Sequence, residues 1–254
     1  MRPLVLFLML CCAPFLQAAG AASGSETDPL RSPLWEAMRQ RFIGDAPVQF
    51  DPRVQVWMPA AAEDPLAVPV QLQIEGLGEI ERIVVFADLN PLPKVLEYLP
   101  RRASGTLAFR FKVEQSTPVR AAVLTRAGRW HVGGAWVAAA GGGCTMPSHA
   151  SGDPVWQERL GEVAARLWPR EGGQSRLRLR VIHPMDTGLA AGIPVFHIEQ
   201  LQVRDAAGTE LAQLRLYEPV SENPLLSLDL RHQGPLRIDG RDTQGNAITA
   251  KVAP

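Results

Sequence analysis

Polar and apolar residues alternate with a period of two along most of the first half of the chain. The alternating segments are residues 68–74, 82–88, 107–113, 119–125 and 130–137. This period predicts β-strands that each bury one face. Ahead of them, Leu34, Met38 and Phe42 recur at helical spacing and predict a short amphipathic helix over residues 33–42. Several short strands separated by turn residues favour a β-sandwich.

A segment with helical periodicity separates these strands from a second set of strand patterns. Asp153 and Pro154 form a helix-start signature, and the predicted helix ends at Pro169. Its apolar positions, at helical spacing, are Trp156, Leu160, Val163 and Leu167. Strand alternation resumes after residues 172–173, with apolar positions in residues 177–181, 226–230 and 248–252. In the first of these segments, arginines alternate with the apolar residues and predict a solvent-exposed strand face. They are Arg176, Arg178 and Arg180. The pattern predicts a second, smaller β-sandwich.

The first 21 residues have the composition of an export signal. Arg2 supplies a basic start, residues 4–16 form an apolar run, and Ala19 and Ala21 give the small-residue pattern that precedes a cleavage site. We therefore expect a signal peptide at residues 1–21, a mature chain in the periplasm, and no membrane association after cleavage. A lipoprotein is the alternative, but Leu10 before Cys11 is a poor match for it.

Charge balance narrows the classes of partner. The 26 Lys and Arg residues equal the 26 Asp and Glu residues in number. A balanced chain lacks the excess positive charge typical of nucleic-acid-binding proteins. We therefore expect no nucleic-acid partner.

Cys144 is the only cysteine outside the predicted signal, and it follows Gly141, Gly142 and Gly143. A single thiol in an exported protein forms no internal disulfide, so it either pairs with another molecule or is reactive for a purpose. Three glycines give the backbone wide conformational freedom and nothing to pack. The sequence therefore predicts an exposed thiol on a flexible arm, with an ordinary pKa of about 8.5. A buried, inert cysteine is the alternative.

Two further interpretations of the same segment remain open. Cys144, His149 and Asp153 have the residue types of a nucleophile, a base and an orienting acid, although nothing in so mobile a stretch would fix their angles. Cys144, Met146 and His149 are soft ligands that copper could use if a distant histidine joined them. The candidates for that histidine are His131, His183, His197 and His232.

Four motifs resemble the SoxY and SoxZ subunits of a periplasmic sulfur-oxidation carrier. Residues 88–93 (DLNPLP) resemble the Asn-Pro loop of SoxY, and residues 142–144 (GGC) resemble its carrier arm. Residues 183–188 (HPMDTG) and 221–227 (SENPLLS) resemble the two signature stretches of SoxZ. The motifs occur in the order expected for the two subunits fused in one chain.

The resemblance implies two immunoglobulin-like β-sandwiches that dock on each other and a non-catalytic carrier. Cys144 would hold sulfur intermediates covalently, as in thiosulfate oxidation, with no metal and no cofactor beyond that adduct. Periplasmic sulfur-oxidising enzymes would be the partners. In SoxY the arm ends the chain, whereas here residues 145–147 (TMP) follow the cysteine and the chain continues. That departure resembles the fused SoxYZ-like carriers associated with quinoprotein dehydrogenases.

Six further residues are candidates for contacts between the domains or with partners. They are Asn90, Pro91, Pro93, His183, Met185 and Asn223. Read without the family, the segments that contain Asn90 and His183 are turns whose prolines restrict the backbone.

The predicted organisation has four parts and supports two functional hypotheses. The parts are a signal peptide at 1–21, a SoxY-like sandwich with its helix at 30–140, a carrier arm and linker helix at 141–173, and a SoxZ-like sandwich at 174–254. A covalent carrier is the first hypothesis. A non-catalytic exported adaptor with an incidental thiol is the second.

Overall fold

The computed structural model describes residues 27–149 and 155–254, which are called here the first half and the second half. The predicted signal peptide and Asp153 lie outside the described residues. None of the helices within these ranges has the length and apolar character needed to cross a membrane.

The first half contains one helix and eight strands, and the predicted helix and strands are confirmed. Their bounds are α1 Trp35–Phe42, β1 Val48–Phe50, β2 Val54–Trp57, β3 Val68–Ile74, β4 Ile80–Ala87, β5 Lys94–Leu99, β6 Ala103–Phe111, β7 Thr117–Thr125 and β8 Trp130–Val137. The alternation is visible in β3, where buried and more exposed residues follow one another along the strand. Strands β1, β2 and β5 were not predicted.

The second half contains one short α-helix, a 3-10 helix at Glu171–Gly173 and seven strands. Their bounds are α2 Val155–Glu158, β9 Val163–Arg170, β10 Gln174–Val181, β11 Ile198–Asp205, β12 Glu210–Leu216, β13 Leu225–Leu230, β14 Leu236–Asp242 and β15 Ala247–Val252. The long helix predicted up to Pro169 is wrong in its second part, because the described helix is only Val155–Glu158 and residues 163–169 belong to strand β9. Residues 163–170 pair with β10 over eight positions, which supplies backbone hydrogen bonds and buries Leu167. The second sandwich therefore begins within the segment that the sequence assigned to the linker.

All fifteen strands belong to two sheets that pack face to face. One sheet has nine strands in the order β1-β8-β7-β4-β5-β12-β11-β14-β15, and the other has six in the order β2-β3-β6-β13-β10-β9. Neighbouring strands are antiparallel except for the parallel pair of β1 and β8. The predicted fold class, two immunoglobulin-like sandwiches, is confirmed.

Each sheet continues without interruption from the first half into the second. Strand β5 pairs with β12, where Tyr98 lies opposite Leu214, and β6 pairs with β13, where Leu107 lies opposite Leu228. These four side chains are fully buried and belong to one hydrophobic cluster that extends through both halves. The halves therefore share backbone hydrogen bonds and a core, which is a closer association than two docked modules.

A second, smaller cluster lies on the outer side of the nine-stranded sheet. Helix α1 packs Trp35 and Met38 against Phe86 and Trp130 of that sheet. The guanidinium of Arg120 lies 4.5 Å from the centre of the Trp35 ring. This contact links α1 to strand β7, which contributes to the site described below.

The shared sheets predict that the halves stay together after the connecting chain is cut. A protease site placed in residues 150–154 should allow cleavage without separation, because the pairs β5–β12 and β6–β13 do not depend on the connection. We expect the cleaved protein to elute as one species on gel filtration and to unfold in one cooperative transition. Two separate folded peaks would contradict the continuous sheets.

Candidate functional site

Cys144 lies in a segment that leaves β8 and folds back against the end of β6. We call residues 141–149 the arm. The Cys144 side chain is 0% exposed, so the prediction of a solvent-exposed thiol is wrong. The three glycines, predicted to make the arm flexible, instead allow the arm to dock against the rest of the protein.

Gly141 and Gly142 make the turn, and Gly143 permits close packing. Gly141 and Gly142 have φ angles of 110° and 92°, in the region that side chains strongly disfavour. At Gly143 a Cβ atom would lie 2.2 Å from the carbonyl oxygen of Pro65 and 2.4 Å from that of Val113. Any side chain at this position would therefore push the arm away from the backbone on which it rests.

The carboxylate of Glu114 holds the arm in place. It accepts hydrogen bonds from the backbone N–H groups of Gly142, Cys144 and Thr145 at 3.2, 2.9 and 3.2 Å. The hydroxyl of Thr145 also donates to it, at 3.1 Å. A charged acceptor makes stronger hydrogen bonds than a neutral one. Glu114 is thus the principal attachment of the arm to the first half.

The thiol itself has only weak polar contacts. The Asn90 amide Nδ2 lies 3.7 Å from Cys144 Sγ, and the Lys112 carbonyl oxygen lies 3.6 Å from it. Burial, with the nearby Glu114 carboxylate, raises the pKa of the Cys144 thiol to about 12. The expectation of an ordinary pKa is therefore wrong for the docked arm. Because the thiolate is the nucleophile, the thiol is unreactive in this position at neutral pH.

Asn90 joins the arm to the loop between β4 and β5. Its amide donates to the Lys112 carbonyl at 2.9 Å, and its side-chain oxygen accepts from the Glu114 N–H at 2.9 Å. The buried carboxylate of Asp88, two residues earlier, pairs with Arg120 at 3.0 Å. This ion pair fixes the start of the loop and so helps to position Asn90.

The other two candidates from that loop do not contact the thiol. Pro91 is exposed, whereas Pro93 is buried and its carbonyl accepts from the Ala87 N–H at 2.8 Å. Both prolines lie in the turn that leads into β5. In the structure both prolines therefore shape the turn.

Lys112 and Thr187 connect the arm to the second half. The Lys112 ammonium, 1% exposed, donates to the Met185 carbonyl at 2.6 Å. Burial lowers its pKa. The Thr187 hydroxyl donates to the Cys144 carbonyl at 2.6 Å. The arm therefore docks on both halves at once, at the edge of their junction.

His183, Met185 and Asn223 form the surface of the second half at this junction. Asn223 donates its N–H to the His183 carbonyl at 2.9 Å and accepts from the His183 N–H at 3.1 Å. Met185 and Asn223 both adopt positive φ angles, 53° and 47°. Burial lowers the pKa of His183 to about 4, although Asp242 opposes that shift from 3.6 Å. The two SoxZ-like stretches thus brace each other beside the arm.

The alternative ligands and catalytic groups are not gathered around the sulfur. Met146 is 49% exposed and the His149 side chain is 80% exposed, whereas Cys144 is buried. Within the described ranges no group of three or more His, Cys, Asp or Glu side chains could hold a metal ion. The third member of the proposed nucleophile–base–acid set, Asp153, lies outside the described residues. The docked arm therefore supports neither interpretation.

Sequence reasoning missed Glu114, Lys112 and Thr187. Lys112 and Glu114 occupy the polar positions of an alternating strand pattern, where charged residues normally face solvent. Thr187 lies within the SoxZ-like stretch at residues 183–188, but no contact with the arm was predicted for it. Their contacts depend on residues far apart in sequence, and no local signal distinguishes them from surface residues.

Comparisons with known proteins give matches in both halves. The family model described as sulfur oxidation protein SoxY matches residues 39–144, and that described as sulphur oxidation protein SoxZ matches residues 166–253. No curated protein matches the chain.

Among solved structures, the chain is similar to the sulfur carrier protein SoxY from Chlorobium limicola f thiosulfatophilum. That match has 23% identity and a TM-score of 0.36, and it covers 41% of this chain and 93% of that one. A biofilm-associated protein BSP domain matches with 8% identity and a TM-score of 0.26, over 85% of this chain and 31% of that one. A Parabacteroides merdae β-glucuronidase matches with 8% identity and a TM-score of 0.25, over 79% of this chain and 24% of that one.

The close packing at Gly143 predicts that Gly143→Ala releases the arm. The added methyl group would overlap two backbone oxygens, so the arm has to move and expose the thiol. We expect iodoacetamide to alkylate Cys144 in the folded variant at least about tenfold faster than in the wild type. A tenfold increase corresponds to a loss of roughly 1.4 kcal/mol in the free energy of docking the arm. Gly78→Ala is the control: a Cβ there meets nothing within 4 Å, and the backbone strain from its φ of 79° falls in a turn away from the arm. An unchanged rate in folded Gly143→Ala protein would contradict the docked arm.

Proposed function

The chain belongs to the SoxY and SoxZ families, joined in tandem, and from this premise we propose that it is a periplasmic carrier that holds sulfur intermediates covalently on Cys144. A sulfur-oxidation carrier role is supported by both family matches. The observation that carries the assignment to Cys144 is its position, at the end of a glycine turn that docks between the two halves through hydrogen bonds. Such contacts can be exchanged for water, so the arm can leave and return.

The docked arm is the resting state of this carrier. In it, the thiol is buried and its pKa is about 12, so it is protected from oxidation and from unintended partners. When the arm leaves, the thiol enters water and its pKa returns toward about 8.5. Reactivity is thus coupled to arm opening, and a partner that binds the open arm gains a more acidic thiol.

Loading forms one sulfur–sulfur bond and requires an electron acceptor. A thiol and an anion with a terminal sulfur give a disulfide-linked adduct, one proton and two electrons. The partner enzyme supplies the base for the proton and accepts the electrons. The groups that contact Sγ in this chain are the Asn90 amide and the Lys112 carbonyl. At neutral pH neither of them takes up the proton or accepts the electrons. The chain therefore acts as a covalent carrier and the chemistry belongs to its partners.

The proposed partners are periplasmic enzymes of sulfur oxidation, including those associated with quinoprotein dehydrogenases. The periplasmic assignment rests on the export signal predicted at residues 1–21. The quinoprotein association rests on the sequence after Cys144, where the chain continues into a second half instead of ending. The same continuation tethers the arm at both ends, which limits its reach.

Mass spectrometry of the natively purified protein tests the carrier directly. We expect adducts that add sulfur to the intact mass, that reductant removes, and that are absent from Cys144→Ser. Because Cys144 is buried, the serine variant should lose about 1 kcal/mol of stability but remain folded. Sulfur oxidation by cells that depend on the protein should be lost with this variant. Full pathway function of Cys144→Ser would instead support an adaptor with an incidental thiol.

Removing the Glu114 carboxylate should open the arm without touching the thiol. Glu114→Ala leaves the N–H groups of Gly142, Cys144 and Thr145 without their acceptor, at a cost of roughly 1 kcal/mol for each lost hydrogen bond. We expect Cys144 to be alkylated at least about tenfold faster in this variant. Glu199→Ala removes a carboxylate that pairs with Arg241 elsewhere, and should leave the rate unchanged. Equal rates in Glu114→Ala and the wild type would show that Glu114 does not hold the arm.

A further inference from the structure

The outward side of the six-stranded sheet is strongly cationic. Its described strand residues include six arginines and one carboxylate, that of Asp229. The arginines are Arg110, Arg166, Arg170, Arg176, Arg178 and Arg180. Strand pairing puts them on a common side, since Arg166 lies opposite Arg178, and Arg178 lies opposite Ser227. We call this surface the arginine face. The predicted exposure of the arginines on β10 is confirmed for Arg178 and Arg180.

Asp229 neutralises only part of this charge. It pairs with Arg176 at 2.7 Å and with Arg170 at 3.3 Å. Arg110 and Arg178 are exposed and form no ion pair with any described residue. The chain as a whole has no net charge. The excess of positive charge is therefore local to this face.

The nine-stranded sheet shows the opposite arrangement. Its exposed arginines in the second half are matched by carboxylates, as in Arg237 with Asp239 at 2.7 Å and Arg241 with Glu199 at 2.7 Å. Arg215 likewise lies 3.5 Å from Glu97. Among the described strands of the second half, the exposed arginines without a carboxylate partner thus lie on the six-stranded sheet.

Aromatic and apolar side chains lie among these arginines and form a groove across the sheet. Trp57 and Trp168, 59% and 36% exposed, come from the two edge strands, β2 and β9. Met58, Pro69 and Leu225 line the groove between them. Six strands at a spacing of about 4.8 Å make the face roughly 24 Å wide. Arg, Trp and Met are the residue types enriched in protein–protein interfaces, and Trp and Arg in their hot spots.

The arginine face borders the docked arm. Arg110 is two residues before Lys112, and its carbonyl accepts from the N–H of Ser221 in the second SoxZ-like stretch. Arg180 ends the outward row of β10, three residues before His183. A molecule bound to this face would therefore lie beside the arm. Neither half has the whole face, because β3 and β6 come from the first half and β13, β10 and β9 from the second.

We infer that the arginine face is a docking surface for an acidic surface of a partner protein. Unmatched arginines steer and orient an acidic patch, and the exposed tryptophans and the apolar groove supply the desolvated centre that holds it. The chain as a whole carries no net charge, which argues against a nucleic acid as the occupant. This inference goes beyond the carrier function, since it does not depend on what Cys144 carries.

Site-directed photo-cross-linking in the native host tests the inference. Gln71 is exposed and lines the groove on β3, opposite Trp57 on β2 and Ala108 on β6. We expect p-benzoylphenylalanine in place of Gln71 to cross-link to a protein at an acidic segment, and the same probe in place of Thr249 on the other sheet to give no such adduct. Cys144→Ser should leave the cross-link unchanged, which separates this test from that of the carrier.

The cross-linked protein, once purified, gives the second measurement. Its affinity for the triple variant Arg166→Gln, Arg178→Gln and Arg180→Gln should be about tenfold weaker at low salt, as expected for three exposed ionic contacts. The control is Arg102→Gln, Arg129→Gln and Arg231→Gln, which removes equal charge from exposed positions outside the face. Adducts only with nucleic acid or lipid, no adduct above that at Thr249, or equal affinity of both triple variants would overturn the proposal.

Discussion

Hydrogen bonding between strands of the two halves is the constraint on which the rest of the structure depends. The pairs β5–β12 and β6–β13 make each sheet continuous, and fully buried leucines at those pairs close the core between the halves. A strand edge that stayed unpaired would expose its backbone donors and acceptors. Each half covers such edges of the other, so separating the halves would expose both polar backbone and apolar core.

The site exists because of this junction. Strand β6 pairs with β13 and then continues into Lys112, Val113 and Glu114, which carry the arm. On the other side, the stretch that contains Met185 and Thr187 meets Lys112 and the arm from the second half. The cysteine is therefore held at a place where both halves contact it. Fusion in a single chain keeps this arrangement intact at any protein concentration.

A buried thiol and a carrier function are compatible because the arm is held by few, mostly polar contacts. Glu114 and Thr187 together account for the hydrogen bonds to the backbone of Cys144. These bonds are modest in net free energy, since water replaces them when the arm opens. The thiol itself makes only weak polar contacts. In the proposed carrier, burial controls when the thiol reacts, and a partner can still release the arm.

The sequence by itself determined the all-β class, the helix α1 and the family, and it singled out Cys144 as the candidate site, because periodicity, composition and short motifs are local properties. It also predicted the exposed arginines of β10. Local pattern failed at β9, where Leu167 and its neighbours fit helical spacing but pairing with β10 satisfied the backbone instead. Only the tertiary structure decided that the glycines pack the arm instead of freeing it, and that Glu114 and Lys112 face the cysteine. Those contacts join residues that are 30 or more positions apart, so they arise from how the sheets meet and have no signature in the chain around Cys144.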